Sequence, residues 1–314
     1  MRLPLDLPAP RALDVVTVGL NSIDLLTVVH GHPAADAKTE MLEFAQLPGG
    51  QSASAAVALA RLGCAVRYIG RVGDDDFGRL GLESLRGEGV DVSRVITVPG
   101  ATSQFAVILV DRDAGTRTVI WHRHPGLAMS PDDIPPEAVA DARVVMVDCH
   151  ETAAVTAAAS HARRAGARTV VDVERVRPGI DDLLRQIDVI IAAAAFPPAF
   201  TGQPSLGAAL AAMQAETGAA VVCVTLGPEG SLARAGGREF RTPAFPGPVV
   251  DTTGAGDVFR AGFIAGWLAG GDRAELDTVL RWANAVAALK CRGLGARTAS
   301  PTRAAVEALL AQAM

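Results

Sequence analysis

The residues with the clearest capacity for chemistry lie in one short string, Asp251-Thr252-Thr253-Gly254-Ala255-Gly256-Asp257, followed directly by an apolar helical run through Phe259, Phe263, Ile264 and Trp267. Two glycines at a helix entrance let successive backbone N–H groups converge, and the helix dipole adds partial positive charge at the same place. The result is an anion hole that needs no lysine. Asp257 falls in the first helical turn beside the anion, where a carboxylate can accept the proton of a hydroxyl attacking a phosphoryl group. The plainer alternative is an aspartate that only caps a helix after a glycine turn. It suits a lone Gly-x-Gly-Asp better than the whole seven-residue string.

Other devices for holding phosphate or cofactors are missing. Lys38 and Lys290 are the only lysines and neither follows a glycine, which excludes a Walker A loop. The Gly-x-Gly pairs at Gly87, Gly254 and Gly293 lack the third glycine of the dinucleotide fingerprint. Neither His-Glu-x-x-His nor Gly-x-Ser-x-Gly occurs, so zinc-protease and hydrolase-elbow chemistry lose their main support. A net charge of −5 without clustered Lys and Arg argues against nucleic acid and for a small-molecule substrate. Cys64, Cys149, Cys223 and Cys291 are too widely spaced for a zinc site or a dithiol pair, and suit a reduced compartment. Asp6 and the prolines at 4, 8 and 10 interrupt the N-terminal apolar residues, which leaves no signal-peptide core. The tracts Val189 to Phe196 and Ala261 to Gly270 fall short of the ~20 residues of a membrane helix, and the expected location is cytoplasmic.

The elements that must position these residues follow a β/α rhythm. The 314 residues, 49% hydrophobic and 20% charged, suffice for one large α/β domain or about two smaller ones. Asp14 to Leu20 is short and β-branched, as suits a buried central strand. Gln51 to Leu62 is expected to be a helix stopped by Gly63, followed by a strand at Val66 to Ile69 and a helix from Asp76 to Glu88. Thr102 to Asp111 and Thr116 to His122 are β-rich and joined by Arg112 to Gly115, a hairpin turn, so residues 95–123 are expected to form a lid, with a contribution from 25–48. Strands at Val144 to Val147, Thr169 to Val173, Val189 to Ala192 and Val221 to Thr225 then alternate with Ala-rich helical stretches, which implies a mostly parallel sheet covered on both faces. Helices are expected over Ala255 to Ala269, Ala274 to Cys291 and Thr302 to Ala313.

With Asp251 to Asp257 in place, the sequence resembles the ribokinase-like (PfkB) carbohydrate and nucleoside kinases, whose second signature is D-T-x-G-A-G-D. Gly49-Gly50 and the helix through Ala58, Ala60, Arg61, Leu62 and Gly63 resemble the first signature; Gly70 to Gly78 resembles the family's G-x-D-x-x-G segment; Val224 to Gly230 resembles its nucleotide-side loop; and Gly293 to Pro301 resembles its closing loop. The resemblance implies a three-layer α/β kinase domain over residues 11–314, with a mostly parallel central sheet and a small β-rich lid. Its reaction would be ATP-dependent phosphorylation of a sugar hydroxyl, with Mg2+ carried on the nucleotide. Within the family, the Gly49-Gly50-Gln51 opening, Ser103-Gln104 and the Ala287 to Gly293 ending look most like ketose kinases. A nucleoside kinase and a sugar- or nucleotide-sensing protein with lost turnover are the alternatives. An aromatic content of 4% gives a nucleobase pocket little support.

Carried over by position, the resemblance makes Asp257 the base and Gly254, Ala255 and Gly256 the anion hole. Asp24, Gly49, Gly50, Ser54 and Gln104 would meet the sugar; Thr225, Gly227, Gly230 and Asn284 would meet ATP. Ser54 stands where the family signature carries Asn, and Ala193 to Phe196 replace a frequent N-x-x-E motif. Arg123 and His150 are further cleft candidates, each with a surface or capping role as alternative. The family's monovalent-cation site would involve Asp251, Thr253 and the loop around Gly295. Ala299 offers it no side-chain oxygen and Arg297 adds a positive charge, so only weak activation by K+ is expected. The lid is expected to pair two subunits, since exposed β edges invite pairing.

Overall fold

A computed structural model describes residues 1–114 and 116–312. Its strands are β1 (Leu13–Val18), β2 (Ser22–Val29), β3 (Glu43–Gly49), β4 (Val66–Ile69), β5 (Arg71–Gly73), β6 (Ile96–Val98), β7 (Phe105–Asp111), β8 (Thr116–His122), β9 (Ala142–Val147), β10 (Arg168–Val173), β11 (Val189–Ala193), β12 (Val221–Thr225), β13 (Ser231–Ala235) and β14 (Arg238–Thr242). Its α-helices are α1 (Gln51–Arg61), α2 (Asp76–Gly87), α3 (Thr152–Arg164), α4 (Ile180–Leu184), α5 (Phe196–Thr201), α6 (Leu206–Thr217), α7 (Ala255–Gly270), α8 (Leu276–Lys290) and α9 (Arg303–Gln312).

The main sheet has the order β14-β13-β12-β11-β10-β9-β1-β4, with β4 through β12 mutually parallel and β13 and β14 added antiparallel at one edge. Its central strands are almost continuously apolar because both faces are covered. Alternate residues divide between two cores: Val15, Val144, Val170 and Ile191 pack towards α1, α7 and α8, whereas Val16, Val145, Val171 and Ile190 pack towards α3, α4 and α6. This is the expected three-layer arrangement. The strand order reverses at β1, which has β9 on one side and β4 on the other, so a crevice opens beyond the carboxyl ends of β1 and β9.

A second sheet, β3-β2-β7-β8, contains the strands expected to form the lid. β7 and β8 occupy the expected segment, but half of this sheet comes from residues 22–49, and β2 pairs with β7 in parallel. The turn assigned to Arg112 to Gly115 includes Gly115, which lies outside the described residues, as do Ala313 and Met314. β6 leaves the lid and pairs with β5 in a two-stranded sheet. All seven residues of β8 are exposed. Among the described residues no helix is long and apolar enough to cross a membrane.

Candidate active site

α7 opens at Gly254, whose φ of +74° is the left-handed conformation that glycine adopts without a steric penalty. A Cβ at Gly254 would lie 2.5 Å from that of Ala296, so the closing loop packs directly on the anion-hole turn. No side chain caps the helix. The structure departs from expectation at Ala255, whose N–H donates to Thr252 O at 3.1 Å. The first-turn amides without an intrahelical acceptor are then those of Gly256 and Asp257. A Cβ on Gly256 would stand 2.6 Å from Nη1 of Arg260, so this glycine lets a guanidinium lie beneath the turn.

Burial pushes the Asp257 carboxyl up to about 7. Arg260 opposes the rise, while Glu174, Asp148 and Asp24 reinforce it. Arg260 is itself buried, with Nη2 2.6 Å from Asp172 Oδ1 and a bond to Ile191 O at 3.1 Å. Burial likewise raises the Asp172 carboxyl, against the pull of Arg260.

Asp24 on β2, expected to meet the acceptor, is 9% exposed and accepts a bond from Ser22 Oγ at 3.3 Å. Burial raises its carboxyl to about 6. The adjoining glycines make room for protein: a Cβ on Gly49 would lie 2.4 Å from Asp24 Oδ2, and one on Gly50 2.7 Å from Asn21 Cα. Arg297, fully buried, donates to the carbonyl of Gly49, to Asn21 Oδ1 and to Gly81 O, and none of these bonds goes to Asp251. It therefore ties the closing loop to Gly49 and Asn21. Ser54 is a correction: it is fully buried in α1 and its hydroxyl has no partner, so it does not line the open cleft. Ser52 instead bonds Asp148 Oδ2 at 2.9 Å, and Leu20 N–H donates to the same oxygen at 2.7 Å. Asp148, immediately after β9, escaped the sequence reading, although its position at a strand's carboxyl end was the available signal.

Gln104 Oε1 accepts from Arg123 Nη1 at 3.0 Å, and Arg123 pairs with Glu151 at 2.6 Å. These three residues form a bridge between lid and body. His150 lies 3.5 Å from Arg177, and burial lowers its pKa. Trp121 is 63% exposed.

On the opposite side, Thr225 ends β12 and Leu226 N–H donates to Gly230 O at 2.8 Å. Gly227 and Gly230 both have positive φ, and a Cβ on Gly230 would meet Thr242 O at 2.1 Å. Asn284 is 4% exposed and its Nδ2 bonds Ser231 Oγ and Leu280 O, each at 3.0 Å. That amide group fastens α8 to β13 rather than facing a ligand. Asp251 accepts Thr253 N–H on Oδ1 and Gly295 N–H on Oδ2, both at 2.8 Å. Burial alone would raise this carboxyl, but bonds from Thr253 and Gly295 and the charge of Lys290 hold it below the usual carboxylate value.

Gly49→Ala tests the acceptor side, because the new methyl must displace the Asp24 carboxylate. Overpacking of this kind costs about 1–3 kcal/mol, measurable by urea unfolding. The KM for the acceptor is expected to rise at least about tenfold, equivalent to ~1.4 kcal/mol. An unchanged KM would remove Asp24 from the binding surface.

Residues 12–303 match the model described as pfkB family carbohydrate kinase. An ATP-dependent ribose-1-phosphate kinase of Halopiger xanaduensis is 32% identical, over 95% of this chain and 98% of its own. A fructokinase of Klebsiella pneumoniae is 33% identical, over 82% and 89% respectively. The structure of Arabidopsis thaliana ribokinase complexed with ribose and ATP is 28% identical, with a TM-score of 0.81 over 95% of this chain and 99% of that one. On a match spanning nearly the whole chain, and with an uncapped glycine helix entrance beside a half-buried aspartate, this protein belongs to the pfkB family of carbohydrate kinases.

Proposed function

We propose that this kinase transfers the γ-phosphoryl group of ATP to a hydroxyl of a ketose such as fructose, with Asp257 as general base. The observation that carries the reading is the Asp257 carboxyl, raised to about 7 in the first turn of a helix whose N-terminus no side chain caps. Such a group exchanges its proton near neutral pH while the neighbouring amides attract phosphate. Similarity to a fructokinase supports the acceptor class, as do the Gly49-Gly50-Gln51 and Ser103-Gln104 resemblances. Ser103 acts indirectly, since its hydroxyl donates to Asp75 Oδ1 at 2.6 Å and accepts Gly73 N–H at 2.8 Å.

Asp24 would orient the acceptor through its hydroxyls. As the reacting oxygen bonds to phosphorus, its proton passes to Asp257 Oδ, and the bond to the ADP oxygen breaks. The amides of Gly256 and Asp257 stabilise the charge on the transferring group. ATP would lie along Thr225 and the turn from Gly227 to Gly230. Magnesium carried on ATP would supply the positive charge that offsets the leaving group. In the same proposal residues 11–314 act as one kinase unit, with 95–123 and 25–48 as its lid. The free state of all four cysteines suits a cytoplasmic setting.

ADP release should be measured against ketoses, aldoses, ribose 1-phosphate and nucleosides. A ketose is expected to give the highest kcat/KM, and preference for a nucleoside would overturn the assignment. Asp257→Asn should lower kcat by about 10²- to 10⁴-fold or more with ATP affinity retained. A carboxyl raised to about 7 holds its proton below that pH, so log kcat/KM should climb with unit slope from pH 5 and level off above about 7. A flat profile across that range would exclude Asp257 as the base.

The lid is also proposed to join two subunits. Ile120 and Trp121 on the edge strand β8 and Phe44 on β3 are each more than half exposed, at 58%, 63% and 55%. An unpaired strand edge beside apolar surface favours association. Light scattering at micromolar concentration should give twice the 32.3 kDa chain mass. Trp121→Glu should shift the protein to monomer, and a monomeric wild type would contradict the proposal.

A further inference from the structure

Lys290 is one of two lysines in the chain, and its side chain is entirely buried. It ends α8, where the helix dipole is negative and favours a cation. Its Nζ donates to the backbone O of Asp251 at 2.7 Å and lies 3.6 Å from Asp251 Oδ2. The carbonyl of the next residue, Cys291, accepts the N–H groups of Val250 at 2.7 Å and Asp251 at 3.3 Å. The segment leading into the Gly254 turn is thus held to the end of α8 by both backbone and side chain. Three residues beyond Asp251 the chain turns at Gly254 into α7.

A monovalent ion fits this place poorly. Both Asp251 carboxylate oxygens already accept backbone N–H groups, from Thr253 and Gly295. The Asp251 carbonyl is occupied by the ammonium. Cation binding needs several oxygens at once to replace a hydration shell, and here the Asp251 carbonyl already accepts from a charged nitrogen that also lies 3.6 Å from Oδ2. Burying a lysine is costly unless the charge is paired and used, and an apolar side chain of similar length would pack at the same position without that cost.

We propose that the Lys290 ammonium is a built-in cation behind the anion hole, a positioning residue that holds Asp251 to Gly254 in place and makes the phosphate site more positive without a bound monovalent ion. A cation on the Asp251 carbonyl polarises that peptide and strengthens the Thr252 N–H as a donor, and its field reaches the phosphoryl group through protein rather than water. The inference rests on the kinase reading, so the wild-type enzyme must first show ADP release with a sugar. Without such turnover it is the kinase reading that fails.

The test uses full-length wild type, Lys290→Met, Lys290→Ala and Lys290→Arg, assayed in sodium, potassium, ammonium and methylammonium chloride at constant ionic strength. Wild type is expected to change less than about fivefold between sodium and potassium, and a tenfold or larger rise with potassium would overturn the proposal. Lys290→Met should lose about tenfold or more in kcat with little change in sugar KM, Lys290→Arg should retain part of the rate, and ammonium or methylammonium should partly restore Lys290→Ala. Wild-type kcat in folded Lys290→Met would overturn the role, as would a loss in folded Lys290→Ala that no small cation repairs. If the neutral variants do not fold, the wild-type salt series and Lys290→Arg decide: a salt-indifferent wild type together with an active arginine variant supports the role, and an inactive but folded arginine variant contradicts it.

Discussion

The cleft brings four carboxylates, Asp24, Asp148, Asp172 and Asp257, out of bulk water into one region beyond the carboxyl ends of the parallel strands. Charged groups so placed are tolerated only when each is paired, hydrogen-bonded or protonated. Asp148 is held by the Leu20 amide and the Ser52 hydroxyl, and Asp172 by the Arg260 guanidinium. Burial displaces the carboxyls of Asp24 and Asp257 upward, to about 6 and about 7, and raises that of Asp172 as well, despite its pairing with Arg260.

Three buried cations set this balance from different directions. Arg260 comes from one turn along α7 and lies under the anion hole; Arg297 comes from the closing loop and supports Gly49 and Asn21; Lys290 comes from the end of α8 and holds Asp251. Missing side chains determine how close these groups come. A Cβ at Gly19 would fall 2.0 Å from Asp148 Oδ2, and Gly49 and Gly256 play the same part for Asp24 and Arg260. Charge placement and backbone approach are in this sense one design feature, with glycine supplying the space that the ionic groups fill.

Much of this could be read before the structure was known. Apolar β-branched runs alternating with Ala-rich helices announced the parallel sheet, because burial on both faces leaves a composition that survives in one dimension. Asp251 to Asp257 announced the glycine turn that opens α7, because its glycines act within a single turn. The strands at 22–49 were harder, since they owe their form to pairing with residues eighty positions away. β13 and β14 were missed because an antiparallel edge has no βα rhythm. Arg297 was read only as a charge near the cation site and Lys290 was given no role, and only tertiary packing shows both to be buried. At Ala255 and Ser54 the family pattern was followed too literally: one amide closes a local turn, and one hydroxyl faces the interior.

The proposed role of Asp257 as base depends most on one property, the displaced ionisation of its carboxyl. Carbon-13 NMR of protein labelled at the aspartate carboxyl carbons, with Asp257→Asn to assign the resonance, follows that ionisation directly and independently of turnover. The account predicts a midpoint near 7 for Asp257. A midpoint near the ordinary aspartate value of about 4 would contradict it.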